Sequence, residues 1–169
     1  MYNPDSAHFL TPREVSGDAD MFGYYIYNNI SISFQVFAGG VLAGFGSLLM
    51  LAYNALFIGA TGGYLGSLGY NSTFYTFIVG HGTVELLAIV FSGAAGWRMG
   101  WAFIRPDARY SRLESLKKTA LRVLPLVYGA TFFLVLAAGI EAFWSSRQFA
   151  PAVKYGFGGT MAFLVLLYV

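Results

Sequence analysis

The sequence predicts an all-α fold, a polytopic bundle of transmembrane helices with about four to five membrane segments, one of them broken or re-entrant. Two observations lead to this prediction. Hydrophobic residues make up 57% of the 169 residues and charged residues only 11%, whereas a soluble domain carries roughly 25% charged residues. The apolar residues also lie in long blocks, and a membrane-spanning helix needs about 20 residues that are mostly apolar. The length suits a single domain.

The composition excludes several classes of function. The chain has no cysteine, which excludes disulfides, thiolate catalysis and cysteine-based metal sites. It has no basic patch interleaved with aromatic residues, so we expect no nucleic-acid partner. The region before the first apolar block is acidic rather than basic, and therefore lacks the charge pattern of a signal peptide.

The first 21 residues, 1–21, are predicted to be a polar tail or linker, followed by one transmembrane domain over residues 22–169. The tail contains prolines and shows no usable period. The aromatic run at 22–27, FGYYIY, is typical of an anchor at the lipid headgroups. Asn28 and Asn29 then precede the first apolar block, where they predict a helix N-cap.

The first apolar block runs from Ile30 to about Leu68, which is too long for one ordinary span. Glycine-rich stretches punctuate the block and favour two segments, a full span near 30–50 and a glycine-interrupted or re-entrant segment near 51–68. One long, tilted and broken helix is the other interpretation. Irregular backbone at membrane depth is tolerated only against protein or a wet cavity, so we expect the second segment to face inward.

Three further apolar segments follow, at about 74–104, about 120–144 and 156–169. The last of them is shorter than a bilayer requires and has no polar flank after it. We therefore expect the chain to be truncated at one or both ends.

Positive charge is concentrated in one loop. Seven of the ten basic residues lie between Arg98 and Arg122, and the positive-inside rule places loop 105–118 in the cytoplasm. The neighbouring loops would then lie on the opposite side of the membrane. The side of the N-terminal tail depends on whether segment 51–68 crosses.

Small residues recur at helical spacing. Glycine accounts for 21 of the 169 residues, and small residues four apart form stripes that let membrane helices approach closely. The residues concerned are Gly40 with Gly44, Gly59 with Gly63, Gly62 with Gly66, and the triplet Ser92, Gly96 and Gly100. Tight packing within one bundle would explain them, and so would homodimerisation through one stripe.

Three ionisable residues fall inside predicted membrane segments. His81 and Glu85 are four apart and share one helix face. Glu141 lies close to the outer end of its own span, at a depth similar to theirs. A charge at the bilayer centre costs about 2.5–3.5 kcal/mol on insertion scales, and such groups usually pair or line a pathway. A structural link between helices, an ion or proton site, and catalysis all remain open.

Catalysis ranks last among these interpretations. The chain has two histidines, His8 in the tail and His81, which excludes a multi-histidine metal site within one subunit. It has neither an HExxH metalloprotease motif nor a nucleophile elbow or phosphate-binding loop. We therefore expect no enzyme, no cofactor and no metal.

Three stretches carry a resemblance to a known family: YIYNNISISF, then VGHGTVELLAIVFSGAAGW, then LAAGIEAFW. Over about residues 22–160, the sequence resembles the stage II sporulation protein M family. Ala55 is a departure, since the family usually has Asn-Gly there. The positions that match the family are Asn28, Asn29, Phe34, His81, Gly82, Glu85, Gly93, Gly96, Ile140, Glu141, Ala142 and Phe143.

The resemblance implies a multi-pass protein of the bacterial cytoplasmic (inner) membrane. The family's named member anchors a peptidoglycan-degrading complex during engulfment and has no known catalytic role. We therefore expect a membrane scaffold or assembly factor for a cell-envelope complex, with lipid, a second copy of the chain and other envelope proteins as partners. The alternative is a small channel or transporter whose ion or proton site is formed by His81, Glu85 and Glu141.

Overall fold

The computed structural model describes residues 15–168, and within this range the chain forms helices and no strand. A 3₁₀ turn follows the first helix, and a π-helical turn at Glu141–Ser145 prolongs the fifth. The predicted all-α bundle is thus confirmed. The helices are α1 (Val15–Ala38), α2 (Phe45–Ser67), α3 (Asn71–Ile78), α4 (Gly82–Ile104), α5 (Arg112–Ile140) and α6 (Pro151–Tyr168).

Three helices of the described region are long and apolar enough to cross a membrane: α2, α4, and α5 together with its π turn. The chain is therefore a membrane protein. α4 is the central helix and contacts α1, α2, α5 and α6. Side chains from α1, α4 and α5 form the apolar core, which consists of Val36, Ala88, Ile89, Ala130 and Leu134.

The first apolar block forms two segments, as the glycine-rich stretches predicted, but the break between them lies at 39–44 rather than near residue 50. A tight turn forms there because Ala43 and Gly44 both adopt positive φ, 60° and 85°. The expectation that segment 51–68 is interrupted and faces inward is wrong. It is the greater part of the continuous helix α2, and only 6% of the most apolar stretch of that helix is buried. In lipid, a helix satisfies its own backbone, which outweighs the weak helix preference of its glycines.

Two predicted helix starts are also wrong. Asn28 and Asn29 do not cap a helix, because α1 begins at Val15, inside the predicted tail, and both lie well within it. The span predicted from about residue 74 is divided, since α3 ends at Ile78 and α4 starts at Gly82. The sequence did not indicate this break, because residues 74–104 are mostly apolar on both sides of it.

Candidate functional site

His81 lies in the turn between α3 and α4 and is the residue immediately before α4. The residue is 3% exposed, and the ring of Phe77 packs edge-on against its imidazole, with 5.4 Å between the ring centroids. The turn fits closely against the end of α5, because a Cβ at Gly80 would lie 2.8 Å from the Trp144 ring. Glycine at that position therefore lets His81 reach the neighbouring helix.

Two carboxylates face the same nitrogen of His81. Nε2 lies 4.0 Å from Oε2 of Glu85, one turn along α4, and 3.8 Å from Oε1 of Glu141, at the start of the π turn. One ligand atom from each of the three residues lies within 4.8 Å of the other two. The structure thus brings together the three residues that the sequence singled out, whereas their role stays a prediction.

The π turn at Glu141–Ser145 directs two side chains toward His81. Glu141 presents its carboxylate to Nε2, and Ser145 places its hydroxyl oxygen 3.0 Å from Nδ1. π-helical turns are rare and occur frequently at functional sites. The π turn after α5 therefore places a polar group near each ring nitrogen of His81, a carboxylate near Nε2 and a hydroxyl near Nδ1.

Lys154 of α6 completes the surroundings of the site. Its Nζ donates a hydrogen bond of 2.8 Å to the carbonyl oxygen of Ser145, and the residue is 8% exposed. A Cβ at Gly158, one turn further, would meet the carbonyl of Val79, so α6 packs directly on the turn before His81. Sequence reasoning missed Ser145 and Lys154. The one available signal was a lone lysine within an apolar run.

A second polar contact ties α1 to the same region. The guanidinium of Arg147, just after the π turn, forms an ion pair with the carboxylate of Asp18, whose side chain is 1% exposed. The rings of Phe22 and Phe143 pack beside it, with centroids 5.6 Å apart. Asp18 falls in the region predicted to be a tail, and for that reason the sequence did not indicate this link.

The small residues of α4 pack, within the chain, against those of the turn at 39–44 between α1 and α2. A Cβ at Gly40 would collide with the backbone of Gly96, and one at Gly100 would collide with Gly40 and Gly44. The hydroxyl groups of Ser33 and Ser92 also share a short hydrogen bond across the α1–α4 interface. These positions therefore serve packing inside one chain and leave no room for a second copy there.

Four other residues from the stretches that resemble the family, Asn28, Asn29, Phe34 and Gly82, lie in different surroundings. Asn29 is buried, and its Oδ1 accepts a hydrogen bond of 3.2 Å from Asn28, while its Nδ2 has no hydrogen-bond partner among residues 15–168. Phe34 is exposed on α1. Gly82 starts α4, where a Cβ would lie 2.9 Å from the Ile78 side chain.

Two cavities in the described part of the chain lie away from His81. One of about 150 Å³ lies between α1, α4 and α5 and includes Ser33 and Ser92, and one of about 550 Å³ is an apolar groove that includes Phe22 and Phe132. Neither is lined by His81, Glu85 or Glu141. The polar cluster is therefore not connected to these cavities.

A family model described as Stage II sporulation protein M matches residues 3–146. The chain belongs to this family. The match contains the whole of the His81, Glu85, Glu141 and Ser145 arrangement, whereas Lys154 lies beyond it. No curated protein and no solved structure matches the chain.

In this member of the sporulation protein M family, the end of the bundle away from His81 carries the exposed basic loop 105–118. Hydrogen bonds from the Arg109 side chain and backbone lower the pKa of Asp107 to about 2. Ser111 and Glu114 then form a reciprocal capping box at the start of α5. The Nζ of Lys118 lies 3.3 Å from the centre of the Tyr110 ring. Since this loop lies at the far end of α4, the polar cluster and the basic loop occupy opposite ends of one span.

Proposed function

We propose that this protein is a multi-pass membrane scaffold or assembly factor for a cell-envelope complex, without catalytic activity. The observation that carries the proposal is the buried position of His81, which contacts Ser145 directly and lines neither of the two cavities described above. Polar groups that hold helix ends together fit a fixed platform better than a conducting path. The membership of the sporulation protein M family also supports this role.

The proposed location is the bacterial cytoplasmic membrane, with loop 105–118 on the cytoplasmic side. The exposed basic residues at that end support this orientation through the positive-inside rule. Other envelope or membrane proteins are the proposed partners. The basic loop offers them a charged surface on one side, and the lipid-facing helices offer an apolar surface within the bilayer.

We also propose that the protein forms a homodimer through α2. Gly59 and Gly63 are four apart on this helix, and a Cβ at either would meet no atom of the described residues within 4 Å. Stripes of this kind let two membrane helices approach closely. Because the stripes around Gly40 and Gly96 are already used inside the chain, α2 offers a free surface of the type that the sequence predicted for dimerisation.

Ion flux distinguishes the scaffold from a channel or transporter. Three ionisable groups within 4.8 Å favour testing this second function. Purified protein in liposomes, with a pH-sensitive dye inside and an imposed ion gradient, should show no flux above that of empty liposomes. Flux that disappears in Glu85→Gln, with melting and oligomer size unchanged, would overturn the scaffold proposal. Asp107→Asn, which removes an exposed loop carboxylate, is the matched control.

A further inference from the structure

The geometry points to a binding site for a divalent transition metal, of the zinc type, formed by His81, Glu85 and Glu141. This inference does not depend on the scaffold role, and it differs from the expectation of no metal, which considered histidine and cysteine ligands. The structure instead brings one imidazole and two carboxylates together from the turn before α4, from α4 itself and from α5.

The direction of the imidazole is the first argument. His81 is 3% exposed, and its Nδ1 is engaged by Ser145 at 3.0 Å. That contact leaves Nε2 directed at both carboxylates. Histidine ligands of metals almost always donate a hydrogen bond from the second ring nitrogen, to a carboxylate, a backbone carbonyl or water, which fixes the tautomer and the orientation of the ring. In this site the Ser145 hydroxyl would be the acceptor. Ser145 is therefore placed as an orienting residue for a His81–metal bond.

The distances are the second argument. At 3.8 Å and 4.0 Å, the two carboxylate oxygens are too far from Nε2 to accept a hydrogen bond from it. Two ligands bound to zinc at about 2.0–2.2 Å lie roughly 3.4 Å apart at a tetrahedral angle, so side-chain shifts of about half an ångström would bring Nε2 and each oxygen to ligand spacing. The ligand atoms of the two carboxylates lie within 4.8 Å of each other and would have to move closer as well. A cation between the three groups would draw them together, whereas neither oxygen hydrogen-bonds directly to Nε2.

Charge is the third argument. Two ionised carboxylates in a low-dielectric environment repel each other, and buried charges are normally paired or coordinate a metal. A divalent cation with two carboxylates and a neutral imidazole makes a formally neutral group. Imidazole suits zinc, copper, iron and nickel, and zinc accepts mixed nitrogen and carboxylate ligands with a fourth position left to solvent.

A bound metal would join α4 to α5 at the end of the bundle that the basic loop does not occupy. The ligands come from both helices, so metal binding and packing of these two helices would be linked. The ammonium group of Lys154 donates a hydrogen bond to the Ser145 carbonyl beside the site.

Zinc uptake by tag-free protein in detergent tests the site. Protein stripped with a chelator is dialysed against micromolar Zn²⁺, and the metal content per chain and the melting temperature are then measured. We expect one zinc per chain in the wild type and in Asp107→Asn, with a higher melting temperature than the stripped protein. Glu85→Gln and Glu141→Gln should lose this uptake and the thermal shift.

Ser145→Ala keeps the test decisive if a ligand variant fails to fold. All three ligands remain in this variant, but the ring is no longer oriented, so we expect zinc affinity to fall about 10–100-fold. A wild-type protein that takes up no zinc would overturn the site. Glu85→Gln and Glu141→Gln variants that bind as much zinc as the wild type would also overturn it, because they would indicate an adventitious ion elsewhere. A melting temperature that responds to pH but not to Zn²⁺ would also overturn it, in favour of a proton.

Discussion

The imidazole Nδ1 of His81 lies 3.0 Å from the hydroxyl oxygen of Ser145, although 64 residues separate the two in the sequence. Both residues are buried. A hydrogen bond between buried groups holds their segments together, because either group left alone would have lost water without a replacement. This contact therefore fixes the turn before α4 against the π turn after α5.

Replacing Ser145 with alanine should destabilise the protein by about 1–3 kcal/mol, since a buried ring nitrogen loses its partner. Unfolding in mixed micelles with increasing SDS, followed by circular dichroism, measures the effect. Ser146→Ala is the matched control, because the Ser146 hydroxyl donates to Ala142 within its own helix and its loss should cost little. Equal losses in the two variants would contradict the proposed importance of the His81 contact.

Gly96→Ala should strongly impair folding. A Cβ at this position would collide with the Phe37 carbonyl and lie 2.6 Å from the Ser47 hydroxyl, and backbone cannot move aside as a flexible side chain can. Overpacking of this kind typically costs about 1–3 kcal/mol and occasionally more. In Gly156→Ala on α6, the new Cβ would have no atom of residues 15–168 within 4 Å, and the change should be neutral or slightly stabilising. Similar SDS unfolding curves for both would refute the internal role of the stripe.

The sequence predicted the helical fold and the neighbours of His81 because both follow from spacing. Glu85 shares a helix face with His81 at four residues, and Glu141 reaches the same depth because successive spans run in opposite directions. The Gly96 stripe was equally visible, but spacing does not distinguish packing inside a chain from packing between chains. Only the position of Gly40 opposite Gly96 decides that question.

The remaining features depend on tertiary contacts that have no local pattern. A serine near a helix end is common, so Ser145 carried no signal until the π turn placed it beside His81. Asp18 lies in a polar stretch that is typical of a tail. Its partner Arg147 is 129 residues away in the sequence, so no local pattern indicated the ion pair. The sequence did not indicate the break at 79–81 in the span predicted from about residue 74, since valine and glycine occur in membrane helices as well as in packed turns.

Arg147→Ala should destabilise the protein by on the order of 2 kcal/mol, below the roughly 3–5 kcal/mol lost when a fully buried pair is broken. The substitution leaves the carboxylate of Asp18 at 1% exposure without its guanidinium, whereas Arg147 itself is 36% exposed and retains access to water. The midpoint of SDS unfolding reports the change.

Arg109→Ala provides the comparison for that experiment, because its ion pair with Asp107 lies on the surface. Surface pairs contribute little to stability, so the midpoint should hardly move. The pKa of Asp107 is lowered to about 2. The small stabilisation from this ion pair is therefore present at neutral pH and would disappear only as the pH falls from about 4 toward 2. An unfolding midpoint shifted as much in Arg109→Ala as in Arg147→Ala would rule out a special role for the Asp18 link.

Cysteine labelling should place loop 105–118 in the cytoplasm. The chain has no native cysteine, so Ala108→Cys and Ser72→Cys each introduce one reactive thiol, both at exposed positions. In spheroplasts, a membrane-impermeant maleimide should label position 72 at once, and position 108 only after lysis, because the basic loop is retained on the inner side. The reverse order of labelling would invert the orientation and reject the cytoplasmic location of the loop.

Gly63→Leu should abolish homodimers without weakening the monomer. The leucine side chain would enlarge the α2 surface where two copies are proposed to approach, and the described part of the chain has no atom within 4 Å of a Cβ at this position. Cross-linking in native membranes and mass in detergent measure the dimer, and SDS unfolding measures the monomer. Gly156→Leu is the control, since its surroundings are equally open but lie on α6. Dimers that persist in Gly63→Leu, or that are lost equally in Gly156→Leu, would exclude this face of α2 as the interface.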